Sequence, residues 1–170
     1  NQKFVFSENE YNSGDGMLTT VWGPGMWHYL HTMSFNYPVE PSKQDKKHYK
    51  DFVLQLQHVL PCGKCRENLK KNFKLVPLTN AHMKNRTTFS KYLYDLHERI
   101  NTLLHKKSGL TYCDVRERYE HFRSRCVKTL KEKYLKNKTK KVRFAKDLIQ
   151  EKGCTEPLYG EKSKCVLQII

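Results

Sequence analysis

Pro61-Cys62-Gly63-Lys64-Cys65 lies between two stretches of helical periodicity, and its reading decides what kind of fold surrounds it. Upstream, Ser42 is a capping residue with Asp45 three positions on, and Tyr49, Phe52, Val53, Leu56, Val59 and Leu60 form an apolar stripe that Pro61 ends. Downstream, a helix starting at or near Cys62 and running to about Phe73 buries Leu69 and Phe73. Two cysteines three apart at a helix start can close a small disulfide ring, and the unpaired N–H groups and positive dipole end of that helix stabilise a thiolate. A structural staple over so short a loop adds little, because loop-closure entropy grows with loop length. Half of a zinc site needs a second close ligand pair, and Cys113 and Cys126 are too widely spaced to supply one. Redox work is the reading that best accounts for the pair.

Working outward, Trp22 to Tyr37 carries apolar side chains at Trp22, Met26, Trp27, Leu30, Met33 and Tyr37, a first helix that Pro38 stops. A loop with Pro77, Asn80 and Asn85 leads to a fourth helix, capped by Thr87 or Thr88, with Phe89, Tyr92, Leu93, Leu96, Ile100, Leu103 and Leu104 on one face and Gly109 at its end. A short fifth helix spans about Asp114 to Arg125 and buries Val115, Tyr119 and Phe122. No alternating strand pattern occurs between residues 20 and 126, which excludes a thioredoxin-type sheet around the cysteines. The expectation is an all-α protein, a helical bundle. Residues 1–20 read as an irregular arm, residues 21–126 as the domain and residues 127–170 as a basic extension.

The 170 residues suit one domain with a tail, and 38% hydrophobic content with 12% aromatic residues implies a core built on large rings. A formal charge of +15 suits nucleic acid, anionic membranes, acidic proteins or an anionic cofactor, and charge alone does not choose among them. Lys128, Lys131, Lys133, Lys136, Lys138, Lys140, Lys141 and Arg143 concentrate it after the bundle, so the reading from another class is a non-catalytic basic helical module that binds nucleic acid or an acidic protein. No apolar run reaches the ~20 residues of a membrane span. The six cysteines fall as Cys62/Cys65, Cys113/Cys126 and Cys154/Cys165, spacings that suit three local disulfides. Cys154 and Cys165 are either a staple, the reading favoured by Pro157 and Gly160 between them, or a mobile shuttle for thiol electrons.

Trp27 and His31 stand one turn apart, with Gly23 and Gly25 leaving space for close approach to the backbone, and His97 and Asn101 form a second one-turn pair. Each alone is weak. With Trp22-Gly23, Leu30-His31, Tyr37-Pro38, the Cys62/Cys65 pair, Asn85-Arg86, Phe89, Leu96-His97, Ile100-Asn101, Tyr112-Cys113, Arg118-Tyr119 and Cys126 in this order, the chain resembles the Erv/ALR family of FAD-linked sulfhydryl oxidases over residues 20–126.

The resemblance implies a four-helix bundle with a short fifth helix, FAD held inside it, and a homodimer. It also implies that Gly23, Trp27, His31, Tyr37, His97 and Asn101 bind FAD, that Lys106 lies toward the phosphates and that Arg118 and Tyr119 close the adenine side. Cys113 and Cys126 would be the structural disulfide. Thiol electrons from dithiol-bearing substrate proteins, or from a thioredoxin-like relay, would pass through Cys62 and Cys65 to FAD and then to oxygen, giving hydrogen peroxide. Glu98 stands where the family often has asparagine. The lysine- and asparagine-rich character resembles oxidases of large cytoplasmic DNA viruses, which implies work at viral assembly sites or in the virion within the host cytoplasm, with the mitochondrial intermembrane space as the other setting.

Overall fold

The computed structural model describes residues 7–125 and 156–157. Its helices are α1 (Glu8–Tyr11), α2 (Thr19–Phe35), α3 (Lys43–Val59), α4 (Gly63–Leu75), α5 (Arg86–Leu103) and α6 (Tyr112–Glu120). Two-residue strands β1 (Ser124–Arg125) and β2 (Glu156–Pro157) pair antiparallel, Ser124 opposite Pro157. The all-α expectation holds, with this one short pairing beyond what the sequence suggested. The chain divides into two compact units at Gly109/Leu110, α1–α5 in the first and α6 with the strand pair in the second.

The helices start where side chains can satisfy orphan backbone donors. Ser42 accepts from the Asp45 N–H while the Asp45 carboxylate accepts from the Ser42 N–H, the reciprocal box read from the sequence. The same device opens α5, but on Asn85 rather than Thr87 or Thr88. Asn85 Oδ1 accepts from Thr88 N–H at 3.0 Å, and Thr88 takes the third helical position. Asparagine is among the strongest caps, and here it outcompetes the threonines that follow. Thr111 and Asp114 open α6, which therefore begins two residues earlier than expected and ends at Glu120. In the arm, read as irregular, Ser7 and Glu10 cap the single turn of α1.

Inside the first unit α2 packs on α5 and α3 on α4. The core centres on Leu30, Tyr37, Val53, Leu56, Leu69, Phe73, Leu78, Met83, Phe89, Tyr92, Leu93 and Leu96. Aromatic rings carry much of it, as composition implied. Tyr37 lies 4.9 Å from Phe89 and 4.8 Å from Tyr49 in tilted and edge contacts. The Tyr37 hydroxyl donates to the Met83 carbonyl at 3.0 Å, and Tyr92 donates to Val76 O at 2.9 Å, so both buried phenols are satisfied. Phe52, Val59, Leu103 and Leu104, placed on apolar stripes by periodicity, are instead exposed. Val59 and Leu103 are the last residues of their helices and Leu104 caps α5.

Phe89 is fully buried between two other rings, so Phe89→Ala should cost about 3–5 kcal/mol through lost transfer energy and a residual cavity. Urea unfolding followed by circular dichroism measures it.

Candidate active site

Four residues of α2 spaced by four, Thr19, Gly23, Trp27 and His31, form one ridge along the helix. Its first member touches the cysteine pair: Thr19 Oγ1 lies 3.7 Å from Cys65 Sγ. Its last two members meet α5. Trp27 stacks on His97 with ring centroids 3.9 Å apart and planes within 6°, and His31 Nε2 lies 2.9 Å from His97 Nδ1. Between them Gly23 is buried without a side chain, and a Cβ built there would have a single neighbour within 4 Å, the Thr19 methyl at 3.4 Å. The ridge is thus continuous at both ends and notched in the middle.

Cys62 and Cys65 are joined as a disulfide, with Cα atoms 5.2 Å apart, at the N-terminus of α4. Cys62 is the capping residue itself: its extended backbone turns the chain into the helix, and its sulfur accepts from the Cys65 N–H at 3.2 Å. Proline at residue 61 ends α3 and leaves its carbonyl available to another segment. Met17 N–H takes it, at 2.7 Å. Gly16 crosses so near that a Cβ there would fall 2.7 Å from Cys62 Cα and 2.8 Å from Pro61 O. The Trp22 indole N–H donates back to Met17 O at 3.0 Å.

Both imidazoles of the α2–α5 contact are held neutral. Burial drives His31 down to about 3, with His97 and His28 adding to it, and burial likewise takes His97 down to about 4 against a small opposing effect of Glu98. Two neutral rings sharing one proton need one donor and one acceptor, and the 2.9 Å separation fits that pairing. One turn on, Asn101 donates through its amide to Glu98 Oε1 at 3.0 Å. The substituted Glu98 thereby fixes the orientation of Asn101 and leaves its carbonyl oxygen free to accept elsewhere.

The structure therefore brings together Gly23, Trp27, His31, His97 and Asn101 on two packed helices, with Cys62 and Cys65 at the start of the same ridge. Tyr37 stands apart from them: it is fully buried at the end of α2, its hydroxyl committed to Met83 and its carbonyl accepting from Arg86 Nε at 2.6 Å. Lys106 is exposed just past α5, where its backbone N–H donates to the Asn101 carbonyl at 2.8 Å. Arg118, Tyr119 and an exposed Cys113 stand on α6 in the second unit. Cys126, Cys154, Cys165 and the basic extension lie outside the described residues apart from the β2 pair.

Sequence reasoning missed Gly16, Met17 and Thr19, because an arm rich in Asn, Ser, Gly and Asp was read as frayed. Pro24 gives no help: it is the sixth residue of α2, past the first turn in which proline usually sits, and so points to a helix start later than Thr19.

The family model of Erv1/Alr matches residues 24–125. A probable FAD-linked sulfhydryl oxidase of Acanthamoeba polyphaga mimivirus is 35% identical over 104 residues, which cover 61% of this chain and 72% of the relative. An FAD-linked sulfhydryl oxidase of Arabidopsis thaliana is 31% identical over 84 residues, 49% of this chain and 42% of the relative. One from African swine fever virus is 26% identical over 99 residues, 58% and 80% respectively. The crystal structure of the yeast Erv1 core superposes with a TM-score of 0.55 at 21% identity, covering 69% of this chain and 95% of the yeast one, a likeness of fold.

Two outcomes test the geometry. The folded His31 and His97 titrate near 3 and 4 and the unfolded residues near 6.5, so the unfolded chain binds more protons as pH falls below 6.5. The urea midpoint should therefore drop from pH 6.5 to about 4 and this contribution should level off below about 3, with a shallower slope in His97→Gln. Gly16→Ala forces a methyl into the backbone of Cys62 and should cost about 1–3 kcal/mol while hydrogen exchange at the Met17 amide accelerates.

Proposed function

The chain belongs to the Erv1/Alr family, and from that premise we propose that it is an FAD-linked sulfhydryl oxidase whose thiol-reactive pair is Cys62 and Cys65. The observation that carries the reading is the ridge of α2, which runs from a disulfide at a helix N-terminus to a stacked Trp27–His97 pair. FAD held at this site would supply two-electron chemistry between the reduced cysteines and oxygen, with hydrogen peroxide as the product.

The residues present fit such a cofactor. The notch at Gly23 offers backbone approach, Trp27 and His97 offer flat aromatic surface, and the neutral imidazoles offer donors and acceptors without charge, as an uncharged ring system with polar edges requires. Gly23, Trp27, His31, His97 and Asn101 would hold the ring end, and the Lys106 ammonium would meet the anionic pyrophosphate. Tyr37 would act at one remove, by fixing the end of α2. The roles of Arg118, Tyr119 and the Cys113–Cys126 bridge rest on the family resemblance alone, as does the boundary of the domain at residue 126.

Substrate chemistry follows from thiol–disulfide exchange. A substrate thiolate attacks Cys62 Sγ, the Cys62–Cys65 bond breaks, and Cys65 leaves as a thiolate at the positive dipole end of α4. A second substrate thiolate attacks the substrate sulfur of the mixed disulfide and releases Cys62, whose sulfur already receives the Cys65 N–H. Both cysteines are half-exposed, so their order rests on the family rather than on accessibility. Dithiol proteins are the substrate class, with a thioredoxin-like relay among them. A homodimer belongs to this reading, supported by the exposed Tyr29–Phe52 edge contact between α2 and α3. Viral assembly sites in the host cytoplasm are the proposed setting, supported by the likeness to oxidases of two viruses.

Purified protein should be yellow, bleach when a dithiol is added without oxygen, and regain colour in air with release of peroxide. Cys65→Ser should retain the flavin and lose dithiol turnover by on the order of a hundredfold or more. Wild-type turnover in that variant would overturn the assignment, and a colourless protein that binds nucleic acid in a salt-sensitive way would favour the basic module instead.

A further inference from the structure

Thr19 lies five residues upstream of the stretch that matches the family model, yet it is the one side-chain donor on Cys65 among the described residues. We propose that Thr19 is a positioning residue for the oxidase reaction: its hydroxyl donates to the Cys65 sulfur once the Cys62–Cys65 bond opens and holds that sulfur as a thiolate on the α2 ridge. The proposal rests on the oxidase reading above.

The step it serves moves two electrons from a substrate dithiol into the Cys62–Cys65 bond. A substrate S–S bond forms and the Cys62–Cys65 bond breaks. Of the two protons the substrate thiols give up, one goes to Cys62 and one to solvent, which leaves Cys65 ionised.

A disulfide sulfur is a weak acceptor, whereas a thiolate is a charged one, and hydrogen bonds to charged acceptors are roughly twice as strong as neutral ones. A hydroxyl 3.7 Å from Sγ is therefore worth little while the pair is oxidised and more once it is reduced. The two sulfurs also have separate donors. Cys62 receives the Cys65 backbone N–H, and Thr19 serves Cys65 alone.

The backbone that leads into Thr19 is held in advance. The Met17 N–H on Pro61 O, the close crossing of Gly16 over Cys62 and the Trp22 indole on Met17 O pin Gly16 and Met17, just ahead of Thr19, to the cysteine loop and to α2.

The charged and titratable side chains closest in sequence to this contact are Asp15 of the arm, His58 in the last turn of α3, and Lys64, Arg66 and Glu67 of α4; farther along, α2 carries His28, Tyr29 and His31, and α4 carries Lys70, Lys71 and Lys74. Lys64 is paired with Glu67 at 3.7 Å and exposed, and Arg66 Nη1 donates to Leu60 O at 2.5 Å.

Thr19→Val keeps the methyl that faces Gly23 and removes the hydroxyl, and Thr19→Ser does the reverse. The test follows iodoacetamide alkylation of the anaerobically reduced holoprotein against pH, with Cys62 and Cys65 resolved by tandem mass spectrometry. In Thr19→Val the Cys65 midpoint should move up, with a roughly tenfold smaller thiolate fraction below it, while Cys62 stays in place. Thr19→Ser should follow the wild type. Superimposed Cys65 profiles for wild type and Thr19→Val, or equal shifts in both variants, would overturn the role of Thr19. Bleaching of the wild-type flavin by dithiol in the same samples keeps the two failures apart: colour loss with superimposed profiles removes Thr19 and leaves the oxidase, whereas unbleached wild-type protein removes both.

Discussion

The neutral contact between His31 and His97 is the constraint on which the site depends. It joins α2 to α5 across 66 positions of sequence, and it requires at least one neutral ring to accept, since two imidazolium ions have donors only. Burial enforces that state on both. The stacked Trp27 then has a fixed surface to lie against, and the register of α2 along α5 is set at the level of the aromatic cluster. Everything upstream on the ridge, the notch at Gly23 and the Thr19 hydroxyl, inherits its position from this contact.

A second constraint operates at the other end of the ridge. Pro61 cannot extend α3, so the chain turns sharply into α4 through Cys62, and the turn leaves a carbonyl that the arm covers. The cysteine pair is thereby held from two sides, by the capping geometry of its own helix and by backbone arriving from residues 16 and 17. Such support from both sides is what keeps a short redox loop in one arrangement while its covalent bond is made and broken.

Much of this was legible in the sequence. The apolar spacing of Phe89, Tyr92, Leu93 and Leu96 marks the inner face of α5 because packing there requires a 3.6-residue period, and Ser42 with Asp45 announces α3 because capping is local chemistry. The one-turn pairs Trp27/His31 and His97/Asn101 likewise depend only on helical geometry. What sequence could not show was long-range. Nothing local says that Trp27 stacks on His97 rather than on another ring, that Tyr37 is consumed by the core, or that Gly16 is small because the backbone of Cys62 passes beside it. The Asn85 cap was overlooked for a different reason: two threonines followed it, and only the observed φ and ψ decide which residue stands outside the helix.

The ridge of α2 runs across the start of the stretch that matches the family model, at residue 24, and the contact with Cys65 is made from residue 19. With Thr19 serving Cys65 as proposed, one rod carries both a donor to a sulfur and the seat proposed for the cofactor, so a change at its first residue would alter how the cysteines meet their thiols while the Trp27–His97 stack stays as it is.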